Sequence, residues 1–190
     1  MQKWVGSNVA DSSEGSAFPA EPDQEDNSQR SGVPEEEYGD IAATEQTPKV
    51  VDMYAGVGTI GLTIGGDNCT LVEINESAVN EMQRNIEKLG KSETINAVLA
   101  PSEKALEYIT ADATIIVDPP RAGLHKDIIA ELLEVAPPRI IYLSCNPVTQ
   151  ARDVAQLAEK YGIRAHRGYN FFPRTPHIEH LVVLDLKKAS

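Results

Sequence analysis

From residue 49 onward the chain alternates two hydrophobic textures. Residues 49–54 (KVVDMY), 69–74 (CTLVEI), 95–99 (INAVL), 113–117 (ATIIV) and 139–143 (RIIYL) are short, nearly continuous apolar runs, as expected of strands buried on both faces. The stretches between them carry apolar residues at helical spacing. Residues 76–89 place Val79, Met82, Ile86 and Leu89 on one face, and Gly90 follows as a stop. Further helices are expected at 59–64, ended by Gly65-Gly66, and at 102–109, 127–135 and 148–161. Residues 163–169 and 180–186 are two last strands with no helix between them, which predicts an antiparallel hairpin. Strand and helix alternating from 49 to about 161 predict parallel strands joined by right-handed crossovers. The expected fold class is α/β, a Rossmann-like, mostly parallel sheet that binds ligands at the carboxyl ends of its strands.

No such periodicity precedes residue 49. Residues 1–48 are rich in Ser, Glu, Asp, Pro and Gly, with Trp4, Val5 and Phe18 scattered among them, and read as a disordered tail or linker ahead of a folded domain at 49–190. The segment holds eleven acids against two bases, a net −9 of the chain's −12. The folded part therefore carries only −3, and the low isoelectric point does not exclude a nucleic-acid partner. The first residues lack the order of a signal peptide, and no apolar run is long enough to span a bilayer, so a cytoplasmic location is expected. Cys69 and Cys145 are too few for a disulfide framework or a cysteine-bound metal, and neither metal nor membrane is expected as a partner.

Candidate chemistry lies at the strand ends. Gly56-Val57-Gly58-Thr59-Ile60-Gly61 fits G-x-G-x-x-G between a strand and a helix, a turn that lets backbone approach a ligand. Glu73 ends the next strand, where a carboxylate can accept the hydroxyls of a ribose. This pair suits a nicotinamide or flavin dinucleotide as well as S-adenosylmethionine, and could also be an unoccupied structural turn. A lone strand-end Glu is commonly a solvated acid, but its place one strand on from a glycine loop favours ribose binding for Glu73. In Ser144-Cys145-Asn146-Pro147, Asn146 is a good N-cap and Pro147 a good first helical residue. Cys145 then sits just before the positive end of a helix, the setting of a nucleophilic thiol, although a lone Cys is more often a small buried hydrophobe. Cys69, which opens a strand, receives that plainer reading. Asp118 ends a buried strand and is stiffened by Pro119-Pro120, while Arg121 beside it could bind phosphate or an acid. His177 and Glu179 stand two apart in a proline-braced loop, where either could act as a base or be an ordinary surface residue.

Taken together, DMYAGVGTIGL (52–62), VEINESAVNEMQRNIEKLG (72–90), DPPRAGL (118–124), YLSCNPVTQARD (142–153) and FPRTPHIEHLVVL (172–184) resemble the RNA uracil-5-methyltransferase family. The Ser-Cys-Asn-Pro and Pro-x-Thr-x-His-x-Glu elements are the more specific. The resemblance implies a class I methyltransferase fold that uses S-adenosylmethionine to methylate carbon 5 of a uridine in transfer or ribosomal RNA. It implies cofactor contacts from Tyr54, Gly56, Gly58, Thr59, Glu73 and Asp118, with Cys145 as nucleophile and Glu179 as base. Cys145 would add to carbon 6, which requires a single-stranded or flipped uridine.

The chain also departs from the family pattern. The acidic segment stands where relatives carry an RNA-binding β-barrel and a Phe-Gln pair. Ala100-Pro101-Ser102-Glu103 stands in place of the third-strand acid expected near adenine, and the cysteines of the cluster-bearing branch are missing. A different class of function is therefore a module that binds S-adenosylmethionine or a protein partner without catalysis. A nicotinamide-dependent oxidoreductase would leave Cys145, Asp118 and Glu179 without work.

Overall fold

The computed structural model describes residues 48–171, 173–175 and 178–188. Seven strands form one sheet in the order β3-β2-β1-β4-β5-β7-β6. The parallel part comprises β1 (Lys49–Asp52), β2 (Cys69–Glu73), β3 (Ile95–Leu99), β4 (Ala113–Val117) and β5 (Arg139–Ser144). Then β6 (Tyr161–Tyr169) and β7 (Glu179–Leu186) pair antiparallel, and β7 inserts between β5 and β6. This is the expected α/β, Rossmann-like fold, a mostly parallel sheet with a terminal antiparallel hairpin. Crossovers are α1 (Thr59–Ile64), α2 (Glu76–Lys88), α3 (Lys126–Val135) and α4 (Pro147–Leu157), and none of the described helices is long and apolar enough to cross a membrane.

Alternation along the strands divides the core in two. Val51, Ile115 and Ile140 pack with the side of the sheet that holds α3 and α4, whereas their neighbours Val50, Ile116 and Ile141 face α1 and α2. The acidic opening turn of α2 is capped by the Asn75 side chain, and Val79, Met82 and Ile86 are its buried face. Met82 and Ile86 join the α1/α2 core.

Two expected elements differ. The stretch 102–109 forms two short 3-10 turns, Ser102–Lys104 and Leu106–Tyr108, in place of one helix. Ser102 is buried with its hydroxyl donating to the Met53 carbonyl, and Ala105 leaves helical geometry, so tertiary anchoring overrides a weak local preference. The helix expected to reach Tyr161 ends at Leu157, and Tyr161 begins β6. Its ring is buried and its hydroxyl meets the carbonyls of Leu132 and Pro137 at the end of α3, the first of which also accepts the Ala136 N–H.

Candidate functional site

The carboxyl ends of the parallel strands gather Asp52, Glu73, Asp118 and Cys145 along one edge of the sheet. Because β7 runs antiparallel to β5, its first residue, Glu179, reaches the same edge. The last β5–β7 pair is Ser144 with His180, so Cys145 and Glu179 are each one residue beyond it and the register sets them side by side. Alternation assigns the face of Glu179: Tyr142 and Val182 point toward α4, hence Leu143 and Leu181 point away, and so does Glu179, while Cys145 follows β5 in the bend that leads into α4.

A cleft of about 500 Å³ opens beside this edge, lined by Tyr54, Glu73, Ile74, Pro101, Ser102, Glu103, Asp118, Pro119 and Pro120. Three of the lining residues are acids and none is Lys or Arg. The Glu73 carboxylate is fixed from both oxygens, accepting from the backbone N–H of Gly56 at 2.9 Å and of Asn75 at 2.8 Å. Gly56 has a left-handed φ of 56°, and a Cβ there would meet nothing within 4 Å, so the backbone is open to an approaching ligand. Gly58 plays another part. Its φ is 88°, and a side chain would run into Leu62 and Met82. Thr59 is exposed at the first turn of α1. Of the six expected cofactor contacts, Tyr54, Glu73 and Asp118 line the cleft, while Gly56, Gly58 and Thr59 form the turn that holds Glu73 in place.

Burial and neighbouring charge act together on the acids. Asp118 is raised to about 6, first by burial and then by the charge of Glu179, which places Glu179 within electrostatic reach of the cleft. Asp52 is raised to about 6 mainly by burial, against backbone N–H donation from Tyr54 and Gly61, with Asp118 and Glu73 adding repulsion. Desolvation pushes the Tyr54 phenol up to about 12, so it stays a neutral donor. Position 100, after β3, carries Ala, and the segment brings a carboxylate to the cleft three residues later, at Glu103.

The two cysteines part company. Cys69 is buried, its thiol is pushed up to about 12 by burial, and its sulfur lies against the Gly61 carbonyl, so it is packing. Cys145 is a free, half-buried thiol between β5 and α4. Asn146 caps α4 by accepting from Val148 N–H at 3.2 Å, and Pro147 is at the helix start, as read from the sequence. His177 lies outside the described residues.

Sequence reasoning missed the residues that hold these parts together. Asp153 is fully buried and accepts from Leu124 N–H (2.8 Å), the Tyr142 hydroxyl (2.8 Å) and Arg152. Asn146 and Thr149 each donate to the Arg121 carbonyl at 3.0 Å, and Arg152 donates to Ala122. The loop that carries Asp118 is thereby bolted to the helix that follows Cys145. Gln150, also buried, donates to the carbonyls of Tyr142 and His180 and so pins the ends of β5 and β7 on either side of the Cys145–Glu179 pair. No local signal marks them, because a Gln and an Asp within a helix read as solvent-facing until the sheet beneath is known.

A sequence model of the tRNA (uracil-5-)-methyltransferase family matches residues 38–187. The chain belongs to this family. A curated RNA methyltransferase of Nitratidesulfovibrio vulgaris is 35% identical over 163 residues, covering 80% of this chain and 35% of that protein. One from Listeria monocytogenes is 40% identical over 145 residues, covering 73% and 31%. Among solved structures, the tRNA (uracil-54, C5)-methyltransferase of Pyrococcus abyssi in complex with S-adenosyl-L-homocysteine superposes with a TM-score of 0.64 at 36% identity, covering 73% of this chain and 34% of that one. The chain thus spans about a third of the length of these relatives.

Proposed function

We propose that this tRNA (uracil-5-)-methyltransferase family domain methylates carbon 5 of a uridine in RNA, with S-adenosylmethionine as donor, through a cysteine adduct at carbon 6. The observation that carries the reading is one edge of the sheet that holds an acidic, base-free cleft and, at its β5–β7 end outside the cleft lining, a thiol and a carboxylate set side by side, the carboxylate within electrostatic reach of Asp118. Such a cleft repels the pyrophosphate of a dinucleotide and favours a ligand with a sulfonium and an ammonium. That is the physical reason to set aside the nicotinamide alternative. Glu73, its carboxylate fixed by Gly56 and Asn75, would hold the ribose hydroxyls, while Tyr54, Glu103 and Asp118 would line the remainder of the cofactor. S-adenosylmethionine supplies an electrophilic methyl group when bound.

The residues of the chain supply the rest of the chemistry. The Cys145 thiolate forms a bond to carbon 6, and the displaced π electrons leave carbon 5 nucleophilic. Glu179, adjacent by register, takes the proton from methylated carbon 5, and the electrons of that C–H bond restore the double bond and expel the thiolate. Gln150 and the Asp153 network fix the two strand ends and the Asp118 loop, so that thiol, base and cleft keep one arrangement. Nucleoside analysis of transfer and ribosomal RNA incubated with the chain and isotope-labelled cofactor should show labelled 5-methyluridine. Cofactor binding without label in any RNA would favour the non-catalytic module.

A further inference from the structure

We infer that Tyr169 and Phe171 form a stacking plate which, with Arg167, receives a nucleotide next to the target uridine in single-stranded RNA. This inference rests on the methyltransferase reading and names the surface along which that substrate lies. The two rings stack in parallel, with centroids 5.6 Å apart and planes 5° from each other. Phe171 leaves 65% of its surface in water, so the stack keeps ring surface open to a ligand. Tyr169 pairs with Glu179 across the hairpin, so the plate begins beside the proposed base and shares its face of the sheet. Arg167, paired with Leu181, extends from the same face two residues away.

Charge gives the plate a direction. Residues 165–175, which carry the plate, contain Arg167 and Arg174 and no acid, whereas Arg164 answers Asp185 on the paired strand. The cleft on the other side of Cys145 and Glu179 has only acids among its charged lining residues. A phosphate backbone is attracted to the first surface and repelled by the second, so RNA crosses β6 and presents one base inward to the thiol. Parallel aromatic plates flanked by Arg are the arrangement that holds unpaired bases without choosing among them.

The test measures fluorescence anisotropy of a labelled 12-nucleotide single-stranded RNA with one uridine, at saturating S-adenosylhomocysteine. Phe171→Ala should weaken binding about tenfold, while Phe171→Trp retains it. Arg167→Ala should weaken it a few-fold and lower the salt slope by about one ion. Calorimetric affinity for S-adenosylhomocysteine should stay unchanged in all three. Equal RNA binding by Phe171→Ala and the unaltered chain overturns the plate, as does no RNA binding by the unaltered chain, or a parallel loss of cofactor affinity. Formation of 5-methyluridine is scored separately. RNA bound through Phe171 but never methylated sinks the enzymatic reading and spares the plate, whereas methylation with Phe171→Ala binding normally sinks the plate alone.

Discussion

The parallel strands and the terminal hairpin solve different problems. In β1, β2, β4 and β5 the residues Val51, Leu71, Ile115 and Ile140 are wholly buried, covered from both sides by helices. Six successive residues of β6, from Ile163 to Gly168, are exposed. The parallel region ends in an acidic cleft, and the hairpin edge is basic and aromatic. A buried parallel sheet is a rigid frame that holds a cleft to small tolerances, whereas an open antiparallel edge is free to meet a large polymeric ligand. Cys145 and Glu179 stand at the seam between the two, one contributed by each region.

If the regions divide cofactor from substrate in this way, mutations at the seam should separate the two functions. Cys145→Ala should lower 5-methyluridine formation by more than about a thousandfold and leave S-adenosylhomocysteine affinity within about twofold, by nucleoside analysis and calorimetry. A matching loss of cofactor affinity would break the division. Next in size is Asp153→Ala, which strands the buried Leu124 N–H and Tyr142 hydroxyl and should cost about 3 kcal/mol in urea unfolding. Glu73→Gln should weaken cofactor binding by about thirtyfold, since a charged acceptor with two backbone donors becomes a neutral amide, while RNA binding is preserved.

The smallest effect is on pH. Asp118 is raised from 3.8 to about 6, so it is ionised above that pH and protonated below it. Affinity for S-adenosylhomocysteine should therefore fall as pH drops through about 6, with a shallower decline in Asp118→Asn. Stability has the opposite sign. Between 3.8 and about 6 the native chain holds the extra proton, so the contribution of Asp118 to stability diminishes as pH rises through that window. A cofactor affinity flat from pH 5 to 8 would remove Asp118 from the cleft's working groups.

Much of this arrangement was legible in residue order. Strands β3 and β4 run between the predicted limits, because β-branched and aliphatic runs of that length have few alternatives inside a sheet. The cap at Asn146 was legible because Asn-Pro before a helix satisfies an orphan N–H and presets φ. The failures were tertiary in origin. Tyr161 continues a helical period yet is drawn into a strand by burial and by two carbonyls of a distant segment. Pairing across β5 and β7 brings Glu179 to Cys145 over a separation of 34 positions, a proximity that no local pattern encodes. Asp153 and Gln150 look like polar helix residues until the sheet beneath them is known.

The central claim is that Cys145 attacks the base. Intact-mass and peptide analysis of the chain incubated with 5-fluorouridine RNA and S-adenosylmethionine tests it most directly, because fluorine at carbon 5 leaves no proton for Glu179 to remove and halts release. The expected result is a methylated nucleotide attached at Cys145, lost in Cys145→Ala. An adduct mapped to Cys69, or unlabelled protein after incubation with the 5-fluorouridine form of an RNA that the chain methylates, would contradict it.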